Sequence, residues 1–199
     1  MAAAVAAVFC AWSFGRAVWF DIAAVVFLLL GLFVLYFFRD PERSIPTEPE
    51  AVVSPADGRV MVVSPEELEG RTGQRISIFL SVFDVHVNRA PVSGTIAALE
   101  YRRGSFHGAL FERASAENEQ NVIRMSTSRG DMVFKQIAGL IARRIVFWKE
   151  RGAKVAIGDR VGMIRFGSRV DVWLPACAEI VVRPGDTVRG GSSLLARWK

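Results

Sequence analysis

From Ile22 to Phe38 the chain runs for 17 residues without a charge and is rich in Val, Leu and Phe. As a helix this run is about 26 Å long at ~1.5 Å per residue, close to the ~30 Å hydrocarbon core of a bilayer. Trp19 and Tyr36 lie near its two ends, where amphipathic aromatic rings favour the interface. Met1 to Gly15 is a second, Ala-rich apolar stretch, set apart by Arg16 and Asp21, the only charges before Arg39. Two arrangements fit: a helical hairpin turning tightly at Arg16–Asp21, or one span preceded by an interfacial segment. A cleaved signal peptide is disfavoured because no basic residue precedes the first apolar run. A buried core helix is disfavoured by the length of the second. Arg39 and Arg43 follow directly, and the positive-inside tendency then places the rest of the chain on the cytoplasmic side of a cell membrane.

Charge returns at ordinary density from Arg39 onward and carries the whole formal net charge of +5, since Arg16 and Asp21 cancel. A basic balance suits nucleic acid or an anionic lipid surface. No nucleic-acid motif is present, and an attached hydrophobic segment favours the lipid surface. Cys10 and Cys177 show no metal-ligand spacing, so no metal site is expected.

The sequence divides into a hydrophobic anchor over 1–38, a Pro-rich extended tether over 39–50, and a domain over 51–199. Within the domain the pattern is mainly β. Val52-Val53 and Val60–Val63 are strand candidates around the turn Ser54-Pro55-Ala56-Asp57-Gly58, and Ile76–Val82 is a half-buried strand. Asn121–Ile137 predicts a hairpin closing at Arg129-Gly130-Asp131. Ala138–Phe147 fits either a short helix or a buried strand. Gly158-Asp159-Arg160-Val161 recurs as Gly185-Asp186-Thr187-Val188, a turn-to-strand device found in small β-sandwiches and hybrid barrels. The fold class expected is α+β or mainly β: a compact, β-rich, hybrid-barrel-like domain behind an N-terminal helical membrane anchor.

Few residues can carry chemistry. There are two histidines, His86 and His107. His86 lies where a strand gives way to a Pro-terminated loop, and Asp84 and His86 share one side of an extended segment. Asp57 by itself is a turn residue of a Pro-x-Asp-Gly sequence. Near the C-terminus, Arg189-Gly190-Gly191-Ser192-Ser193 reads by composition as a flexible turn. Its chemistry allows more. Glycine before serine leaves the carbonyl unhindered and opens backbone conformations closed to other residues. The Ser192 hydroxyl can then attack the Gly191 carbonyl, given an imidazole to take its proton and a carboxylate to orient that imidazole.

Four segments in order resemble the phosphatidylserine decarboxylase family in its short bacterial and archaeal form. They are Val53–Gly58, Phe83–Pro91, Ile164-Arg165-Phe166-Gly167-Ser168-Arg169-Val170-Asp171, and Gly190-Gly191-Ser192-Ser193. Phe37-Phe38-Arg39-Asp40-Pro41 is similar to the family's membrane-proximal entry.

The resemblance implies a zymogen. Ser192 attacks Gly191, an N-to-O acyl shift gives an ester, and β-elimination with loss of ammonia leaves a pyruvoyl group at residue 192. The chain becomes a large subunit, 1–191, and a short one, 192–199, held as a strand by Leu194, Leu195 and Trp198. The pyruvoyl cofactor forms a Schiff base with phosphatidylserine and supports its decarboxylation to phosphatidylethanolamine in phospholipid biosynthesis. His86 is the implied general base, Asp57 its orienting carboxylate, and Gly167 and Ser168 are substrate-site candidates. Arg102, Arg103 and Arg144 are candidates for the lipid phosphate. A homodimer is the default assembly.

Two departures stand out. Longer relatives carry a second histidine three residues after the first, and that position here is Arg89. Either His86 makes both proton transfers, or His107 enters, or water serves. Gly-Gly-Ser-Ser replaces Leu-Gly-Ser-Thr but keeps the reacting pair. Two other readings remain open. An archaetidylserine-type decarboxylase shares the reacting headgroup. A non-enzymatic, membrane-tethered biotinyl- or lipoyl-like module is suggested by the Gly-Asp-x-Val turns but lacks a carrier lysine in an Ala-Met-Lys-Met-type setting.

Overall fold

The computed structural model describes residues 2–140, 144–165 and 167–199. The chain separates into two compact units, 1–39 and 40–199.

The first unit is one helix, α1 (Ala2–Phe37). It continues through Arg16–Asp21 without a turn, so neither the hairpin nor a break before the span is seen. Local helical geometry allows this: neither the Ala-rich N-terminal side nor the Val-, Leu- and Phe-rich run beyond it contains a proline to interrupt the i→i−4 ladder. Its Val18–Phe37 part is 20 residues long and apolar enough to cross a membrane. Arg39 folds back on the end of this unit, with Nη1 donating to the Tyr36 carbonyl at 2.8 Å and the guanidinium 3.8 Å from the Tyr36 ring centre.

In the second unit residues 40–48 have no regular structure. The strands follow in order: β1 (Ala51–Val53), β2 (Gly58–Leu68), β3 (Arg71–Leu80), β4 (Val87–Arg89) and β5 (Gly94–Arg102). After the short helix α2 (Arg113–Glu117) come β6 (Gln120–Thr127), β7 (Gly130–Ile137), β8 (Ile145–Phe147), β9 (Lys154–Val155) and β10 (Arg160–Ile164). The last are β11 (Ser168–Pro175), β12 (Ala178–Ile180), β13 (Thr187–Val188) and β14 (Leu194–Trp198). An antiparallel eight-stranded sheet, ordered β13-β2-β3-β11-β7-β6-β5-β9, curls as a half-barrel. Two three-stranded sheets, β4-β10-β8 and β1-β14-β12, complete the unit. This is the mainly β class expected from the sequence.

Local chemistry sets these elements. β2 and β3 join through Glu69-Gly70, both with positive φ (53° and 73°), the backbone a two-residue hairpin turn needs. The two Gly-Asp-x-Val turns are built alike. Asp159 Oδ2 accepts from Ala156 N and Asp186 Oδ2 from Arg183 N, each at 2.8 Å. Both are Asp-capped turns feeding a strand. Of the ambiguous 138–147 segment, 145–147 is strand β8, while 141–143 lie outside the described residues.

Val170, Val172 and Leu174 on one face of β11 enter a core shared with Ile76, Ile78, Met132, Phe134 and Leu195. The opposite face carries Arg169 and Asp171, 0% and 2% exposed. Arg169 Nε donates to Asp171 Oδ1 at 2.6 Å and Nη2 to Ser77 Oγ at 2.7 Å, while Ser115 Oγ donates to Asp171 Oδ2. Removing one member of a buried pair strands the other charge, which costs about 3–5 kcal/mol. Arg169→Met is therefore expected to lower unfolding stability by about 3–5 kcal/mol in denaturant titration. A loss below about 1 kcal/mol would show the pair to be structurally idle.

Candidate active site

The turn 54–57 organises the site because three other segments hydrogen-bond to it. Gly191 N donates to Ser54 O and Ser54 N to Ser193 O, both at 2.8 Å. From the other side, Arg89 N donates to Pro55 O at 2.9 Å. The 190–193 loop and β4 thus flank one turn, although they are a hundred residues apart in sequence.

The Asp57 carboxylate lies against the Gly-Gly-Ser loop. Its Oδ1 accepts from Gly190 N at 2.7 Å, and both carboxylate oxygens accept from Arg43 Nη2 at 2.9 and 2.7 Å. The ion pair is shielded, its side chains 14% and 11% exposed. Gly191 adopts φ = +78°, a left-handed conformation that favours glycine. A Cβ there would also lie 2.8 Å from Arg89 Cδ. Glycine at 191 is thus required twice, by backbone and by space. Ser192 follows as a partly exposed residue, its N–H donating to Arg189 O at 3.1 Å. Ser193 Oγ accepts from Arg189 N at 2.8 Å, which closes the loop on itself.

His86 is fully buried. Its Nδ1 lies 2.9 Å from Asp84 O, a carbonyl that can only accept, so Nδ1 carries the proton. Nε2 is left with its lone pair, and Gly167 N–H donates to it at 3.3 Å. Both ring nitrogens are thus engaged, which fixes the orientation of the imidazole. The Asp84 carbonyl, two residues away, orients the ring at Nδ1. Gly167 is thereby placed beside the imidazole. Ser168 Oγ next to it is buried with no hydrogen-bond partner among the described residues. Phe166 lies outside the described residues. His107 is engaged elsewhere: Nε2 pairs with Glu117 at 2.9 Å, and its backbone is clasped by the Asn118 side chain.

Sequence reasoning missed the residues of the 40–48 segment. Arg43 holds Asp57, Asp40 holds Arg89, and the Ile45 side chain approaches Gly191. Arg160 bonds both Asp40 and Glu42, and its hydrogen bond holds the Glu42 carboxyl below the ordinary range. The sequence signal was the alternation of charge and proline in a stretch that needs no charges merely to span space.

Among the described residues no cluster of His, Cys, Asp or Glu could hold a metal ion. The donor set suits a covalent group made from the chain itself: a hydroxyl after a positive-φ glycine, a carboxylate on the loop, and a neutral imidazole on an adjoining segment. Asp57→Asn keeps the Gly190 contact but abolishes the ion pair, and is expected to slow production of any 192–199 fragment about 10–100-fold, the worth of a charge-assisted bond. A gel time course of freshly synthesised protein checks this, and an unchanged rate would remove Asp57 from the machinery.

The fold and site define a β-domain with an apolar N-terminal helix, whose glycine–serine peptide shares one turn with an acid and adjoins a histidine-bearing strand end. Residues 30–196 match the family described as phosphatidylserine decarboxylase. The chain is 51% identical over 197 residues to a phosphatidylserine decarboxylase proenzyme of Solibacter usitatus, covering 99% of this chain and 92% of the relative. It is 47% identical over 201 residues to that of Symbiobacterium thermophilum, covering 99% and 89%. A third such proenzyme, from Trichlorobacter lovleyi, is 51% identical over 178 residues, covering 88% and 81%. The chain belongs to the phosphatidylserine decarboxylase family.

Proposed function

We propose that this protein decarboxylates phosphatidylserine to phosphatidylethanolamine at the cytoplasmic face of a membrane, after cutting itself between Gly191 and Ser192. The single observation that carries the reading is the Gly191–Ser192 peptide, behind a positive-φ glycine and beside the Asp57-bound Gly190, on a turn shared with the His86 segment.

In the cutting step Ser192 Oγ adds to the Gly191 carbonyl carbon while Nε2 of His86 accepts its proton. Asp57 fixes the loop through Gly190 N–H, and Arg43 keeps that carboxylate in place. The 192–199 piece need not dissociate. Strand β14 lies between β1 and β12, with Leu195 and Ala196 fully buried and Trp198 nearly so. The pyruvoyl group at residue 192 supplies an electron sink for loss of carbon dioxide. His86 then stands as proton donor to the product carbon, since a base that has taken a proton can return it.

A lipid substrate fits the surroundings. Phe79, Val82, Phe83, Leu110, Phe111 and Leu140 line an apolar groove of about 360 Å³ that reaches Gly167, the partner of His86. Phe83, Leu110, Phe111 and Leu140 are each 58–64% exposed, an apolar patch of the kind that meets another apolar phase. Ser168 is the candidate donor to the polar headgroup. Arg102 is paired with Glu100 at the exposed end of β5, which weakens its case as a phosphate ligand.

Purified protein in mixed micelles is expected to release labelled carbon dioxide from phosphatidylserine labelled in its serine carboxyl group. Borohydride, which reduces a pyruvoyl ketone, is expected to abolish the release. Release that survives borohydride would contradict the cofactor, and no release from cut protein would contradict the substrate.

A further inference from the structure

We propose that the buried guanidinium of Arg89 is a binding site for the α-carboxylate that self-cleavage creates on Gly191. This inference rests on the cleavage reading above.

Arg89 is 5% exposed, a depth at which arginine needs partners. Nη1 donates to Gly158 O at 3.1 Å, and Nη2 to Asp40 Oδ1 at 2.9 Å and Pro41 O at 3.0 Å. Nε has no hydrogen bond among the described residues. It is also the part of the guanidinium nearest the cleavage loop. A Cβ on Gly191 would lie 2.8 Å from Arg89 Cδ and 3.7 Å from Nε. The arginine stem therefore runs along the Gly191 Cα, and the carboxyl carbon is one bond from that atom.

Cleavage changes the charge there. Attack by Ser192 Oγ forms the C–O bond and breaks the Gly191–Ser192 C–N bond, the hydroxyl proton ending on the freed amine. Loss of the Ser192 α-proton then breaks Cβ–Oγ, and that oxygen leaves with Gly191 as a carboxylate. Water replaces the nitrogen, released as ammonia, to give the ketone. A neutral peptide at a buried glycine becomes a permanent anion, and a buried anion without a partner is strongly disfavoured. Arg89 is already there with an unused donor. Asp40, its present partner, is also bonded by Arg160, so Asp40 keeps a cation if Arg89 turns toward the new terminus. A polar cavity of about 400 Å³, with Arg89, Ile45 and Gly158 in its wall, gives the freed end room to turn.

The carboxylate of the substrate is the poorer occupant. Its charge disappears as carbon dioxide leaves, so a cation bound to it stabilises the ground state more than the transition state. The Gly191 carboxylate persists and gains from a fixed cation.

The test is carboxypeptidase digestion of the cut, full-length protein in detergent, followed by the mass of the large fragment. In native wild type Gly191 is expected to be removed at least about tenfold more slowly than in Arg89→Met, with Arg89→Lys between them, as for loss of a charge-assisted bond. If Arg89→Met is not cut, native wild type against its own denatured fragment gives the same comparison. Removal of Gly191 from native wild type as fast as from denatured fragment overturns the proposal. Wild type that yields no fragments refutes the cleavage reading instead.

Discussion

Ser192→Ala is expected to leave one chain of 21.9 kDa and to lower decarboxylation by about 10⁴-fold or more, the scale of losing a nucleophile. The size follows from the double use of one hydroxyl. Without Oγ the Gly191 carbonyl has no neighbouring nucleophile, so the chain stays whole, and no ketone forms to draw electrons from the substrate. The fold should hold, because Ser192 is partly exposed and its bond to Arg189 is through the backbone N–H. An unchanged thermal transition would exclude unfolding as the cause. Ser192→Cys separates the two uses: a thiol can still attack and eliminate, so slow cleavage with partial activity is expected. Activity in an uncut Ser192→Ala chain would show that the electron sink comes from elsewhere.

His86→Ala is expected to slow self-cleavage by about 10²–10⁴-fold, the usual worth of a positioned general base. The ring is fully buried and held at both nitrogens, so truncation also leaves a cavity and an unpaired Gly167 N–H. His86→Gln is the sharper variant, since an amide can fill the space and accept from Gly167 but cannot take a proton at neutral pH. A loss in His86→Gln close to that in His86→Ala assigns the effect to proton transfer. Recovery of wild-type rate in His86→Gln would reduce the imidazole to a packing group. His107, paired with Glu117, is expected to tolerate Gln with no more than about a twofold change in cleavage.

Much of this was legible because periodicity is local. The alternation in Ile76–Val82 and in the 121–137 hairpin carried the β-strands, and the Gly-Asp turns announced themselves by residue type. The buried pair Arg169–Asp171 was not, since charged residues alternating with valine read as a solvent face until α2 and its preceding loop cover them. The site divided in the same way. The motifs single out His86, Gly167 and the Gly191–Ser192 peptide by residue type and order alone. Arg43, Asp40 and Arg89 act through contacts spanning 14 to 49 residues, which no local pattern encodes. Asp57 shows both sides of this: residue type marked it, but only tertiary geometry gives it Gly190 and Arg43 as partners.

That geometry gives the 40–48 segment a second task besides linking an apolar helix to a β-domain. Its acid and base side chains sit on Asp57, Arg89 and Arg160, so changes there are expected to act on maturation before they act on lipid turnover.

The most direct measurement is the intact mass of the purified wild-type protein. Two fragments are expected, residues 1–191 and 192–199, the shorter one beginning with a ketone that borohydride reduces. One uncut chain that still decarboxylates phosphatidylserine would contradict the central claim.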